Sequence, residues 1–197
     1  MSSSEYEGLD SEELLQLAVL DSAADRHDTA IVKLKKAVSL NPRNAKALYL
    51  LGAEHAEIGL MERAIEEMTQ ALEIDSGLET AHFQLGLLLY SLGRIPEASD
   101  RWDRLEYLGE NHPLVAFKTG LLLLTDNKLE EAEQMLVNAC DSAASASAPL
   151  KADIEKVLAN TRRHREQLAG KNHSNSADST PRISGAGLAQ RYGDLDA

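Results

Sequence analysis

A spacing of 34 residues constrains this chain more than any other feature of its sequence. Alanine recurs at this interval four times, at Ala30, Ala64, Ala98 and Ala132. A second series of small residues keeps the same interval, at Ala18, Gly52, Gly86 and Gly120. Small residues locked to a period of this length are typical of stacked helical hairpins, because close helix crossings leave no room for larger side chains.

Four units of 34 residues follow one another without insertion or deletion, at residues 11–44, 45–78, 79–112 and 113–146. Each unit contains two apolar patterns at helical spacing, so we expect two amphipathic helices per unit. The fifteenth position of each unit predicts the turn between them, since it holds residues that tolerate a left-handed backbone: Asp25, Gly59, Gly93 and Asn127. The predicted fold class is all-α, a right-handed superhelix of four helical hairpins.

Two local signals refine this prediction. Asp10 followed by Glu13 is typical of a capping box at the start of the first helix. In the third unit, Leu105 stands at a position that is alanine in the other units, at Ala37, Ala71 and Ala139. The larger side chain is expected to widen the local packing or to shift the next hairpin.

The two ends of the chain differ from the repeats. Residues 171–197 are rich in Ser, Asn, Gly and Asp and poor in bulky side chains, so we expect them to be disordered, and residues 1–9 likewise. Residues 149–169 predict one more helix, which begins at a proline and ends before a glycine. Its apolar face fits a cap over the last hairpin, which repeat arrays require.

The net charge of −12 is unevenly distributed. Residues 1–149 contain 12 Lys and Arg against 26 Asp and Glu, whereas residues 150–197 contain 8 against 6. An acidic body of this kind repels phosphate backbones, which argues against nucleic acid as a partner. A single cysteine, Cys140, excludes an internal disulfide, and neither a secretory signal nor a membrane span is visible. We therefore expect a cytoplasmic protein.

The repeated residues resemble the tetratricopeptide repeat. In the second unit the pattern is carried by Leu48, Leu51-Gly52, His55, Ala64, Met68 and Ala71. The first unit departs from it, because Ala18 replaces glycine and Asp21 replaces a large residue. The resemblance covers residues 11–146 and implies a module for protein–protein interaction. It also implies that the first helices of successive hairpins line a concave groove.

This groove is the candidate binding site. The positions that such a fold directs toward it are mostly apolar here, and they include both phenylalanines of the chain. We predict a partner-binding groove formed by Leu15, Val19, Tyr49, Leu50, Ala53, Phe83, Gln84, Leu87, Tyr90, Leu114, Phe117, Lys118, Leu121 and Leu124. Exposed apolar grooves of this extent usually bind a partner. One inserted side chain that buries ~100 Å² would contribute ~2.5 kcal/mol.

The predicted function is a non-enzymatic adaptor or co-chaperone that binds a partner protein or peptide through apolar anchors, in an extended or helical segment. Two alternatives concern the groove itself: it forms a homodimer interface, or the capping helix or the tail covers it. A third alternative is a secretion-type chaperone, because an apolar concave face is also similar to repeat proteins that shield hydrophobic client segments.

One well-understood subset of the family grips the C-terminal carboxylate of heat-shock chaperones with Lys, Asn and Arg side chains. At the matching positions this chain has Leu15, Val19, Leu50, Thr80 and Gln84, and one unit further only Lys118 fits. The sequence therefore argues against that mode of binding.

Enzyme chemistry has little support in the sequence. It contains no Gly-x-Ser-x-Gly elbow, Walker loop or Cys-x-x-Cys pair, and we predict neither a cofactor nor a metal. His55 and His82 occupy repeat positions of bulky packing residues, which favours packed imidazoles over metal ligands. Cys140 is predicted to be a small core residue. An accessory domain of an enzyme that carries a metal is the remaining alternative.

Overall fold

The structure is a computed structural model, and it describes Tyr6, residues 8–143 and residues 148–171. Eight helices form four hairpins: α1 (Ser11–Ala23) with α2 (His27–Leu40), α3 (Ala45–Glu57) with α4 (Met61–Ile74), α5 (Glu79–Ser91) with α6 (Ile95–Trp102), and α7 (Pro113–Thr125) with α8 (Leu129–Ala143). A 3-10 helix (Asp103–Leu108) follows α6, and α9 (Ala148–Lys171) packs against α8. The described part of the chain contains no strand.

The predicted turn positions are confirmed. The backbone is left-handed at the fifteenth residue of every unit, with φ of 56° at Asp25, 84° at Gly59, 76° at Gly93 and 58° at Asn127. This conformation lets the next amide return to a carbonyl of the preceding helix, as in the bond of 2.8 Å from the Leu60 amide to the His55 oxygen. Each hairpin therefore closes with the same short turn.

The predicted capping box of α1 is also confirmed. The Asp10 carboxylate accepts hydrogen bonds of 2.8 Å and 2.9 Å from the amides of Glu12 and Glu13. In return, the Glu13 carboxylate accepts the Asp10 amide at 2.8 Å. These bonds satisfy amides that the first turn leaves without helical partners, and they fix the start of the array.

The small residues of the 34-residue period lie where paired helices cross. The four alanines of the first series are completely buried. A Cβ atom on Gly52 would lie 2.9 Å from the carbonyl oxygen of Ala64, and one on Gly86 would lie 2.2 Å from Nε1 of Trp102. Larger side chains at these positions would force the helices apart, so the period follows from the crossing geometry.

Two clusters of buried residues form the core. The smaller one lies within the first hairpin and reaches Ala47 and Leu51 on α3. The larger one continues from α3 through the later hairpins to α9. Val38 and Leu50 pack against both clusters. The array therefore has a continuous apolar interior, as expected when each unit buries the face of the next.

The second helix of the third unit is shorter than its counterparts. α6 ends after eight residues, whereas α2 and α4 each have 14. The chain continues as the 3-10 helix, and Leu105 is completely buried within it. The expectation that Leu105 widens the packing or shifts the next hairpin stays a prediction.

The ends of the described chain add two elements to the array. Tyr6 and Leu9 pack against the cluster of the first hairpin, which differs from the disorder expected of residues 1–9. At the other end, Leu150 and Ile154 of α9 are completely buried, and the Arg162 guanidinium donates to Glu133 of α8 at 2.8 Å. The expectations for the remaining N-terminal residues, for residues 144–146 and for residues 172–197 lie outside the described residues.

Candidate partner-binding face

Most residues of the predicted groove are buried in the structure. Ten of the fourteen have an exposed fraction of at most 5%: Leu15, Tyr49, Ala53, Phe83, Gln84, Leu87, Leu114, Phe117, Lys118 and Leu121. The expectation that these side chains form an open apolar surface is therefore wrong. They belong to the packing between neighbouring helices.

Aromatic packing explains this burial. The rings of Phe83 on α5 and Phe117 on α7 lie with centroids 5.5 Å apart, so each fills the space beside the neighbouring first helix. The indole of Trp102 lies 6.2 Å from the Phe83 ring and donates its N–H to the Phe83 carbonyl at 3.0 Å. Phe83 and Phe117 are both the fifth residue of their unit. Their rings thus join the third and fourth units side by side and leave no open groove there.

The two polar members of the predicted groove are also engaged. Lys118 is 3% exposed, and its ammonium group pairs with the Glu106 carboxylate of the 3-10 helix. Gln84 is 3% exposed as well. The Lys118 pair ties α7 to the preceding unit, because a buried ammonium group requires an anionic partner. Lys118 is therefore not available as a groove cation.

Four predicted groove residues stay accessible, one on the first helix of each unit. Val19 on α1 is 45% exposed, and Leu50 on α3, Tyr90 on α5 and Leu124 on α7 are half-buried. We call these four residues the accessible row. The Tyr90 hydroxyl donates to the Leu121 carbonyl at 3.0 Å, which fixes this ring between α5 and α7. Burial raises the pKa of Tyr90, so the phenol stays a hydrogen-bond donor.

Two largely buried pairs of polar side chains in the first two units are a feature that sequence reasoning missed. Asp21 of α1 pairs with Lys33 of α2, and one repeat later His55 of α3 pairs with Glu67 of α4. The two pairs occupy the same repeat positions with acid and base exchanged. The sequence does contain a signal for these pairs. Asp21 and His55 are polar residues at a repeat position where the family pattern has a large residue.

A second polar group links the first two units. Glu54 on α3 is 1% exposed, and it accepts a hydrogen bond from Ser22 of α1. Its other oxygen lies 2.9 Å from Nδ1 of His27 on α2. The carboxylate stands between the hydroxyl and the imidazole, so the imidazole is not placed to take a proton from Ser22. This group serves as a junction of three helices.

Asp21 gives a prediction on acid stability. Burial raises the pKa of this carboxyl, but hydrogen bonds from Lys33 and Arg26 outweigh burial and lower the pKa from 3.8 to about 2. A lowered pKa in the folded state stabilises the fold at pH values above the unfolded pKa, and the contribution is lost as the pH falls from about 4 toward 2. We expect the difference in melting temperature between wild type and Asp21→Asn to be constant above pH 5 and to shrink across that window.

Circular dichroism melts between pH 2 and pH 7 measure this difference. Asp28→Asn is the matched control, because Asp28 is an exposed carboxylate on the adjacent helix. A wild-type advantage over Asp21→Asn that stays equally large at pH 2 and pH 6 would contradict the assignment.

The remaining candidates for chemistry are structural in these surroundings. Within the described ranges, no cluster of three His, Cys, Asp or Glu side chains is arranged to hold a metal ion. Burial raises the pKa of the Cys140 thiol, which leaves little of the thiolate that a nucleophile needs. None of the described helices combines the length and the apolar character that a membrane crossing requires.

Comparisons with known proteins agree with the repeat geometry. Residues 15–79 match the family model described as tetratricopeptide repeat. No curated protein sequence matches the chain. Among solved structures, MamA is 23% identical, with a TM-score of 0.59 over 70% of this chain and 81% of that chain.

Two further solved structures have the same fold. PilF of Pseudomonas aeruginosa is 21% identical, with a TM-score of 0.60 over 85% of this chain and 78% of that chain. YrrB, described as a tetratricopeptide repeat protein with an unusual peptide-binding site, is 22% identical, with a TM-score of 0.56 over 80% of this chain and 78% of that chain. The predicted all-α helical repeat superhelix is thus confirmed. The family match thus covers the first two units, and the same hairpin geometry recurs to α8.

Proposed function

We propose that this protein is a non-enzymatic adaptor that binds a segment of a partner protein across the first helices of its hairpins. The observation that carries this proposal is the accessible row, in which each unit contributes one apolar side chain: Val19, Leu50, Tyr90 and Leu124. The fold supports it, since tetratricopeptide repeats are modules for protein interaction and YrrB has a peptide-binding site according to its description.

The buried layer beneath the accessible row favours binding. Phe83 and Phe117 are fully packed, so α5 and α7, which carry Tyr90 and Leu124, are held in fixed positions before a partner arrives. A preorganised surface loses little conformational entropy on association. Anchors that bury ~100 Å² each would contribute ~2.5 kcal/mol apiece. Two or three anchors therefore give useful affinity on this face.

The negative charge of the array favours a partner segment with positive charge. Residues 1–149 contain 26 Asp and Glu against 12 Lys and Arg, so the body of the array carries a negative field. A partner segment with apolar anchors and flanking Lys or Arg would be steered toward this field. We therefore propose a basic, amphipathic segment as the partner, in extended or helical form.

Paired charge reversals test the site. We expect Val19→Glu with Leu124→Glu to reduce recovery of the bound partner from native lysate at least about tenfold, because a carboxylate buried against apolar anchors loses its hydration. Val32→Glu with Leu40→Glu is the matched control, since these exposed residues of α2 lie outside the accessible row. Quantitative mass spectrometry of the captured proteins measures the ratio.

Two outcomes would contradict the proposal. One is equal recovery with wild type and the row variant, and the other is equal loss in the control variant. Recovery of a second copy of the chain as the bound protein would support the homo-oligomer instead. Phe117 does not suit a test of that alternative, because it is 1% exposed and its replacement would perturb the core.

A further inference from the structure

The first hairpin exposes apolar side chains at the end of the array. Leu17 and Leu20 of α1 are 37% and 64% exposed, and Val32 of α2 is 54% exposed. We call these three residues the end patch. The end patch shares no residue with the accessible row, so it needs an explanation of its own.

The repeat register shows which way the end patch faces. One unit later, Leu51 stands in place of Leu17 and Glu66 in place of Val32. Leu51 and Glu66 line one cleft together with residues of α2, so both positions face the preceding hairpin. Leu51 is 4% exposed and belongs to the buried cluster of the first hairpin. Leu17 and Val32 therefore face the end of the array, where no described helix precedes α1.

Leu20 occupies a third position of this interface. Its counterpart in the second unit is Glu54, which is 1% exposed and accepts a hydrogen bond from Ser22 of α1. The other oxygen of Glu54 lies 2.9 Å from Nδ1 of His27 on α2. In the third unit the counterpart is Leu88, which is 4% exposed. The position is thus buried in the second and third units and open in the first.

The sequence of the first unit does not adapt this face to water. The position of Val32 is polar in the three later units, at Glu66, Asp100 and Gln134. The terminal unit of a repeat array normally has a polar outer face, because no neighbour covers it. Here the apolar residue stands in the one unit that has no described neighbour on this side. The first hairpin therefore keeps the apolar character of an interface between units.

The opposite end of the array is closed. α9 packs against α8, and Leu150 and Ile154 of α9 are completely buried. The Arg162 guanidinium also donates to Glu133 of α8 at 2.8 Å. A second copy could not stack its first hairpin on α8 without displacing α9. This blocks head-to-tail stacking, whereas two first hairpins are free to meet in a two-fold contact.

The charge distribution favours a second copy as the occupant of the end patch. Residues 11–44 contain five Lys and Arg against five Asp and Glu, residues 45–78 two against seven, residues 79–112 three against six, and residues 113–146 two against five. Two copies repel each other through the three acidic units, and a basic partner is attracted to those units. The neutral first unit is where two copies meet with the least repulsion.

The N-terminal segment of the chain leaves the end patch open. Tyr6 and Leu9 pack against the cluster of the first hairpin, and the Lys33 ammonium lies 5.3 Å from the centroid of the Tyr6 ring. This segment is therefore seated beside Lys33. Residues 1–5 contribute one apolar side chain, Met1, which is too little to cover three exposed side chains.

We propose that two copies of this chain pair through their first hairpins, with both end patches at the centre of a two-fold interface. Residues 11–23 of α1 contain three Asp and Glu and no Lys or Arg, whereas residues 27–40 of α2 contain three Lys and one Asp. A two-fold axis parallel to these helices places α1 of each copy against α2 of its partner, so opposite charges meet. Such a contact is satisfied by two copies and does not extend into a filament.

Sedimentation equilibrium of the full chain tests this pairing. We expect a reversible monomer–dimer equilibrium at protein concentrations up to about 200 µM, without larger species. Leu17→Glu with Leu20→Glu is expected to weaken the dimer at least about tenfold, because carboxylates in an apolar interface lose their hydration. Leu60→Glu with Leu92→Glu is the charge-matched control, since these residues are 46% and 40% exposed outside the first hairpin.

Further variants keep the test decisive. Leu20→Glu alone alters the most exposed residue of the end patch, so it serves if circular dichroism shows that the double variant is unfolded. Leu124→Glu is expected to leave the dimer intact, which distinguishes this interface from a dimer through the accessible row. The proposal is overturned if wild type stays monomeric, if the folded end-patch variant dimerises as tightly as wild type, or if Leu124→Glu or the control weakens the dimer equally.

Discussion

Replacement of Trp102 by alanine is expected to lower the free energy of unfolding by about 3–5 kcal/mol. The indole is completely buried and lies with its centroid 6.2 Å from the Phe83 ring and 5.8 Å from the Tyr90 ring. Its N–H also satisfies the Phe83 carbonyl at 3.0 Å. The alanine variant loses ring packing and leaves that carbonyl without this donor. Urea denaturation followed by circular dichroism measures the difference.

Two comparisons separate packing from the hydrogen bond. Trp102→Phe keeps an aromatic ring and loses the N–H donor, so we expect a smaller loss than for alanine. Tyr107→Ala removes a ring that is 70% exposed and a hydroxyl that donates to Glu79, so we expect a loss of about 1 kcal/mol or less. A loss below about 1 kcal/mol for Trp102→Ala would show that the third hairpin is not a centre of the core.

The architecture was predictable because its causes are local. The 34-residue period predicts the hairpins, and the residue types at Asp25, Gly59, Gly93 and Asn127 predict their turns, where the backbone is left-handed. Turn chemistry of this kind depends on a few neighbouring residues, so one sequence is enough to read it. The same holds for the capping box at Asp10.

The burial of the predicted groove was not predictable from residue type. Phe83 and Phe117 are equally suited to an exposed anchor and to a packed seam between neighbouring first helices. The distance between those helices decides which of the two roles the rings have. The ring centroids are 5.5 Å apart, so the two side chains pack against each other. Helix separation depends on many side chains at once, including Leu105 in the 3-10 segment. The accessible row therefore became visible only in three dimensions.

The cleft that is lined by His82, Arg101 and Arg104, among others, illustrates a different limit. The sequence predicts that His82 is a packing residue, and the structure does bury it. Arg101 is half-buried on α6 and Arg104 is exposed on the 3-10 helix, and no sequence motif joins them to His82. The stacking of α4 on α5 and the crossing of α5 and α6 bring these residues together. The useful signal comes from comparing the units. The fourth residue is Leu48 in the second unit and His82 in the third.

Replacement of Gly86 by alanine is expected to destabilise the fold by about 1–3 kcal/mol, although alanine normally favours a helix by ~1 kcal/mol. The new Cβ would lie 2.2 Å from Nε1 and 2.5 Å from Cδ1 of Trp102. The indole cannot move aside, because it is fully buried and bonded to the Phe83 carbonyl. Thermal and urea denaturation of the two proteins give the sign of the change.

Gly120→Ala is the matched substitution one unit later, where the new Cβ would lie 2.9 Å from Cδ2 and Cγ of Leu136. An aliphatic side chain yields more easily than a bonded indole, so we expect a smaller loss there. The clash at Gly86 should also depend on the ring. In a Trp102→Leu background, which installs the residue type of Leu34 and Leu136, Gly86→Ala should cost no more than Gly120→Ala. If Gly86→Ala lowers the stability equally in both backgrounds, contact with Trp102 is not the reason why alanine is unfavourable at position 86.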